Sequence, residues 1–255
     1  MYYLGMDSGS TTTKGVLFLD DQLIDKYLIP TGGNPRGAME QIVDQFTAEH
    51  QLTKETCKLI TTGYGRKLMD SDLAITEISC HGKGAEYLQP GIKQVIDIGG
   101  QDCKTIQLNG KGTVVEFNMN DRCAAGTGRF VEVMMRTLGE DITKLDQFAS
   151  LGKPVTINSM CTVFAESEVI GMISKGEKRE DIACGVLHSI AKRISGQYSK
   201  LRPKRGEEVL FTGGLSRSTQ FAEVLAAYVH APVHTNELSQ YAGAIGAALI
   251  GQRKL

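Results

Sequence analysis

Two stretches ninety residues apart carry the same chemistry at the same spacing. The first is Gly5-Met6-Asp7-Ser8-Gly9-Ser10-Thr11-Thr12-Thr13-Lys14, and the second is Val95-Ile96-Asp97-Ile98-Gly99-Gly100-Gln101-Asp102-Cys103-Lys104. Each is Asp-x-Gly with a lysine seven positions after the aspartate. Glycine lets the main chain approach a phosphate and take up positive φ, where successive N–H groups form an anion-binding concavity. Ser10, Thr11, Thr12 and Thr13 add hydroxyl donors, and Lys14 adds a cation. Asp7 and Asp97 disfavour a bare phosphate, so beside such a turn they call for a divalent ion or a water to orient. A third glycine turn, Thr212-Gly213-Gly214-Leu215-Ser216, follows the apolar run Val209-Leu210-Phe211.

The elements around these turns follow from periodicity. After each Asp-x-Gly comes an apolar run, Val16–Leu19 or Thr105–Leu108, then a turn signal, Asp20-Asp21 or Asn109-Gly110. A further strand-like run follows, Leu23–Ile29 or Thr113–Phe117. Each copy therefore predicts strand, glycine turn, strand, hairpin, strand. Gly37–His50 carries apolar residues at Met39, Ile42, Val43 and Phe46, a helical stripe. Phe130–Leu138, Phe164–Ile173, Ile182–Leu201 and Phe221–His230 also predict helices. Ser79–Ala85 and Tyr241–Ala247 are rich in Gly and Ala. Glycine costs a helix about 1 kcal/mol relative to alanine, so such segments imply close backbone approach between helices. Strands alternating with helices in two related halves predict an α/β chain.

Composition excludes several classes. The chain has 255 residues, 28 basic and 29 acidic side chains and a net charge of −1. It offers no basic field for nucleic acid or anionic lipid. Hydrophobic residues at 41% and charged residues at 22% suit a folded globule rather than a disordered chain. No apolar run approaches the ~18 residues of a membrane span, and Asp7 interrupts any apolar leader. The six cysteines are scattered with no C-x-x-C pair, which predicts a cytoplasmic protein without a disulfide scaffold.

Asp7–Lys14, Asp97–Asp102, Phe211–Ser216 and the two Gly/Ala segments resemble the phosphate-1, phosphate-2, adenosine and connecting motifs of the actin, hexokinase and heat-shock ATPase superfamily, in that superfamily's order. The resemblance implies duplicated ribonuclease-H-like domains with ATP or ADP and Mg2+ in the cleft between them. The limits would be 1–92, with a C-terminal helix at about 238–255 packing back on it, and 93–237 for the second domain. It also implies roles. Ser10, Thr11, Thr12, Thr13 and Lys14 hold phosphates together with Gly99, Gly100 and Gln101. Asp7 and Asp97 organise Mg2+ and its waters, and Gln101 orients an attacking water or a γ-phosphate oxygen. Gly213 and Gly214 admit the adenosine, and Gln240 hydrogen-bonds its edge.

A narrower resemblance lies around two cysteines. Asn120–Phe130, with Cys123, and Ser159–Glu168, with Cys161, are similar to the ATP-dependent activators of 2-hydroxyacyl-CoA dehydratases, as are Thr62–Arg66, Ser79–His81 and Val95–Cys103. It spans nearly the whole chain. It implies a homodimer sharing one 4Fe-4S cluster, with Cys123 and Cys161 from each copy supplying four thiolates. The activity implied is ATP-driven one-electron donation to a 2-hydroxyacyl-CoA dehydratase or related iron–sulfur reductase, with ferredoxin or flavodoxin as electron source. Spacing alone does not give this, since two cysteines cannot close a four-thiolate site in one chain. Each precedes a helix-like stretch, whose N-terminal N–H groups and dipole favour negative charge. Cys57, Cys80, Cys103 and Cys184 carry no such motif; Cys57 and Cys184 are expected to be core or surface thiols, and Cys80 and Cys103 to fill space near the cleft. His81 is set aside, as are His50, His188, His230 and His234. Two rival readings remain: a sugar kinase of the same superfamily with no cluster, and a zinc-bridged dimer using the same thiolates.

Overall fold

The computed structural model describes residues 1–159 and 161–255; Met160, within the second cysteine motif, lies outside them. Two compact units emerge. The first comprises Met1–Lys93, Leu108–Val115 and Asn236–Leu255, and the second Gln94–Gln107 and Glu116–Thr235. Among the described residues there are ten strands: β1 (Tyr2–Ser8), β2 (Thr12–Leu19), β3 (Gln22–Pro30), β4 (Cys57–Gly63), β5 (Leu73–Ala74), β6 (Gln94–Ile98), β7 (Cys103–Leu108), β8 (Val114–Asn120), β9 (Val209–Gly213) and β10 (Val233–His234). The eight α-helices among them are α1 (Pro35–His50), α2 (Glu77–Leu88), α3 (Gly128–Thr137), α4 (Leu145–Ala149), α5 (Thr162–Ser174), α6 (Arg179–Tyr198), α7 (Thr219–Val229) and α8 (Ala242–Lys254). All five helices predicted from periodicity are present, with ends shifted by a few residues.

Each unit is built on one five-stranded sheet, and the two sheets have the same order. In the first it is β3-β2-β1-β4-β5; in the second, β8-β7-β6-β9-β10. β1 pairs antiparallel with β2 and parallel with β4, as β6 does with β7 and β9. The repeat read from the sequence is thus a repeat of topology, and the two sheets fit duplicated ribonuclease-H-like units.

Both faces of the first sheet are covered, which is why the second half of β2, Val16–Leu19, is apolar throughout rather than alternating. Leu4, Met6 and Leu17 pack on Met39, Ile42 and Phe46 of α1. Val16 and Phe18 point the other way, onto Ala244, Ile245, Ala248 and Leu249 of α8. The local signals for α1 are ordinary: Asn34 caps it by accepting from the N–H of Gly37 at 3.0 Å, with Pro35 in its first turn. The second unit buries a larger core, including Phe130, Met134, Ile182, Val186, Ile190, Phe211 and Phe221.

The Gly/Ala segments form α2 and α8, and their backbones touch. A Cβ at Gly84 would overlap the carbonyl oxygen of Ala242, and one at Gly246 would overlap that of Cys80. Glycine's cost in a helix is offset here by an approach no other residue permits. Gly246→Ala forces the two helices apart, with an expected loss of about 3 kcal/mol. That corresponds to a Tm lowered by about 6–12 °C in circular dichroism melts. An unchanged Tm would contradict the close packing.

Candidate functional site

Each unit carries one Asp-x-Gly turn, and the two turns are closed by the same main-chain hydrogen bond. In the first, the N–H of Gly9 donates to the carbonyl of Thr12 at 3.2 Å; in the second, Gly99 donates to Asp102 at 2.9 Å. Asp7 lies opposite Lys14 and Thr62 in the sheet, and Asp97 opposite Lys104 and Thr212. One residue further along the parallel neighbour, Gly63 and Gly213 both have positive φ, 83° and 86°. A Cβ on Gly213 would overlap the carbonyl oxygen of Ile98, so this turn requires glycine.

The first turn presents open chemistry. Asp7 is 4% exposed, and its Oδ1 is buried with no hydrogen-bond partner among the described residues. A buried carboxylate oxygen left unpaired is costly, and a cation or an ordered water would relieve that cost. Lys14 Nζ stands 3.6 Å from Asp7 Oδ2, leaving the ammonium donors to spare. Ser10 and Thr12 are half-buried and Thr11 is exposed. Thr13 differs: its hydroxyl is buried against that of Thr31 at 2.9 Å, and Thr31 donates in turn to the carbonyl of Gly9 at 2.8 Å. Thr13 therefore braces the turn from beneath.

In the second turn the same lysine position is closed. Lys104 is 1% exposed and bonds Asp97 Oδ2 at 3.1 Å and Asp102 Oδ2 at 2.5 Å. Thr212 donates its hydroxyl to Asp97 Oδ1 at 2.7 Å. Both Asp97 oxygens are thus engaged, and Lys104 is a structural cation, unable to reach a phosphate. Gln101 is exposed at the turn's tip, flanked by half-buried Gly99 and Gly100. Gly214 is exposed and open to any approach. Gln240 lies in a short 3-10 turn leading into α8.

Sequence reasoning set His81 aside, yet it belongs to the Asp7 neighbourhood. The space a Cβ on Gly243 would need is bounded by Asp7 Oδ2 at 2.9 Å and His81 Nε2 at 3.3 Å. His81 is 5% exposed and its Nε2 lies 3.6 Å from Glu77 Oε1. The available signal was its place in the Gly/Ala segment that pairs with α8.

The six cysteines separate by environment. Burial pushes the Cys80 thiol up to about 12 and those of Cys57 and Cys103 up to about 11, so all three stay protonated. Cys161 is exposed and stands at the start of α5; Cys123 is half-buried, four residues before the cap of α3. The approach to Cys161 is held by Glu168, which accepts from the N–H of Asn158 at 2.9 Å and of Ser159 at 2.8 Å. Burial alone would raise the Glu168 carboxyl, but these hydrogen bonds outweigh it and hold it below the usual 4.5. A lowered folded-state value means the clamp is complete above the unfolded value and is lost as pH falls through the folded one. In an NMR titration the amide shifts of Asn158 and Ser159 should move together with a midpoint below 4.5. A midpoint at or above 4.5 would show that the clamp does not hold the carboxylate.

Duplicated sheets of this order, each with an Asp-x-Gly turn and a Thr-Gly turn, define a fold of the actin and hexokinase type. The sequence matches the BadF/BadG/BcrA/BcrD ATPase family over residues 4–251, and the chain belongs to that family. It is similar to the Escherichia coli protein YjiL, which has no described function: 47% identity, covering 99% of this chain and 97% of that one. The (R)-2-hydroxyglutaryl-CoA dehydratase activating ATPase of Acidaminococcus fermentans is 38% identical, covering 100% and 98%. The solved activator of the 2-hydroxyisocaproyl-CoA dehydratase from Clostridium difficile, with bound ADPNP, is 35% identical with a TM-score of 0.91, covering 100% and 98%. Among the described residues no helix is long and apolar enough to cross a membrane.

Proposed function

We propose that the chain is an ATP-hydrolysing activator that donates single electrons to a 2-hydroxyacyl-CoA dehydratase or related iron–sulfur reductase, working as a homodimer that shares one 4Fe-4S cluster. Membership of an ATPase family and relatives named as dehydratase activators support the ATPase and partner classes. The observation that carries the electron-transfer reading is Cys161, an exposed thiol at the N-terminus of α5, a helix whose Val163, Phe164 and Ile170 are also exposed. An uncovered apolar face beside a metal-ligating thiol suits contact with a second copy.

The residues divide the work. The hydroxyls of Ser10, Thr11 and Thr12 and the Lys14 ammonium hold phosphate oxygens, with Thr13 fixing the turn. The main chain of Gly99 and Gly100 lines the terminal phosphates, and the Gln101 amide orients the attacking water. Gly213 and Gly214 admit the adenosine, and Gln240 reads its edge. Asp7, through its unpaired oxygen, and Asp97, more tightly held, would organise Mg2+, which would supply neutralisation of phosphate charge. Cys123 and Cys161 of each copy would supply the four thiolates that hold a 4Fe-4S cluster, which would give the site one-electron chemistry. Ferredoxin or flavodoxin is the expected electron source.

Anaerobic purification followed by iron analysis and sedimentation tests the reading. A brown dimer with about four irons is expected, the number one shared cubane cluster requires. Colourless protein after anaerobic reconstitution would reject the cluster and favour the sugar kinase, and bound zinc would favour a structural bridge.

A further inference from the structure

We infer that Asn120 and Thr127 are positioning residues that tie the Cys123 loop to the second glycine turn, so that a nucleotide's terminal phosphates act on this cysteine through the main chain. This rests on the nucleotide and thiolate assignments proposed above.

The connection is a run of short hydrogen bonds within the second unit. A helix leaves its first N–H groups without intrahelical partners. In α3 the N–H of Gly128 donates to the carbonyl of Gly99 at 2.9 Å, and that of Arg129 to Gly100 at 2.8 Å. The carbonyls that cap α3 therefore belong to the residues assigned to the phosphates. A Cβ on Gly128 would stand 3.1 Å from the Gly99 oxygen, so the helix start and the turn are in close contact.

One residue earlier, Thr127 is wholly buried. Its N–H and its hydroxyl both donate to the carbonyl of Ala124, at 3.1 and 2.6 Å, closing the loop that follows Cys123. Asn120 closes the other side: its Nδ2 donates to the carbonyl of Cys123 at 2.8 Å. A second strap comes from α6. Gln197 Nε2 donates to the Asn118 carbonyl at 2.9 Å, and its Oε1 accepts from the Cys103 thiol at 3.2 Å. Cys103 immediately follows the turn, and Asn118 precedes Asn120 by two residues.

Phe130 and Val131 sink α3 into the core just beyond these contacts. Close-packed interiors shift between discrete arrangements rather than deform smoothly, so displacement of Gly99 and Gly100 moves the α3 start and the Cys123 loop as one body. In this device Thr127 is the joint. Its hydroxyl reaches the loop while its neighbour's N–H reaches the turn.

Hydrogen exchange on the full-length chain tests this, with Mg2+–ADPNP, with Mg2+–ADP and without nucleotide. In the wild type, ADPNP should slow exchange about fivefold or more both at 98–104 and at 119–126, the lower end of ordinary coupling energies. Thr127→Val, nearly isosteric but without the donor, should keep the slowing at 98–104 and lose it at 119–126. Thr127→Ser restores the donor and should recover both. Equal slowing at 119–126 in wild type and Thr127→Val overturns the relay, as does slowing at 98–104 alone in the wild type. Absence of any ADPNP binding by calorimetry overturns the nucleotide assignment itself.

Discussion

Asp7→Asn should abolish ATP turnover while leaving the fold and the iron content intact. The substitution keeps the shape of a side chain that is 4% exposed, and removes the charge from an aspartate whose buried Oδ1 has no hydrogen-bond partner among the described residues. Metal and charge organisation at a phosphoryl-transfer site is worth several kcal/mol, so a loss of about a thousandfold, or about 4 kcal/mol, is expected in kcat. Asp97→Asn is the informative contrast. Asp97 accepts from both Lys104 and Thr212, and Lys104 is 1% exposed. Taking one partner from a buried ion pair costs about 3–5 kcal/mol, so this variant should lose stability as well as activity. Coupled-enzyme ATPase rates beside thermal melts separate the two. Normal hydrolysis by Asp7→Asn would remove Asp7 from the Mg2+ assignment, and an unshifted melt for Asp97→Asn would contradict the buried network.

That contrast also marks where sequence stops being legible. Spacing makes the two turns equivalent, and at the level of the main chain they are: the same register, the same turn hydrogen bond, the same positive-φ glycine. Spacing also makes Lys14 equivalent to Lys104, and there it misleads. The difference lies at one position, Thr12 in the first copy and Asp102 in the second. A second carboxylate two residues from Lys104 gives that ammonium a pair of buried partners and withdraws it from solvent. Helix periodicity and apolar runs are local properties, so α1, α3, α5, α6 and α7 could be placed from them. His81 could not, because its relation to Asp7 passes through Gly243, distant in the chain and visible only once α2 and α8 are packed. Glu168 is the same kind of case: its clamp on Asn158 and Ser159 is a loop contact with no periodic signature.

Cys161→Ala gives the sharpest separation between ligand and scaffold. The Cys161 thiol is exposed and makes no capping hydrogen bond, although the residue's carbonyl accepts the first helical bond, from Ala165 at 2.8 Å. Removing the sulfur thus takes nothing from the helix, and a surface change of this kind stays within about 0.5 kcal/mol. On the proposed shared cluster the Tm should hold while iron falls from about four per dimer to near zero, since two of its four thiolates would disappear at once. Cys57, Cys80 and Cys103 are the internal controls. Burial keeps their thiols protonated, so changing any of them to serine should leave the iron content alone. Undiminished iron in Cys161→Ala would move the ligand elsewhere. Loss of iron with a collapsed Tm would mean instead that the sulfur supports the fold, which its exposure at the tip of α5 argues against.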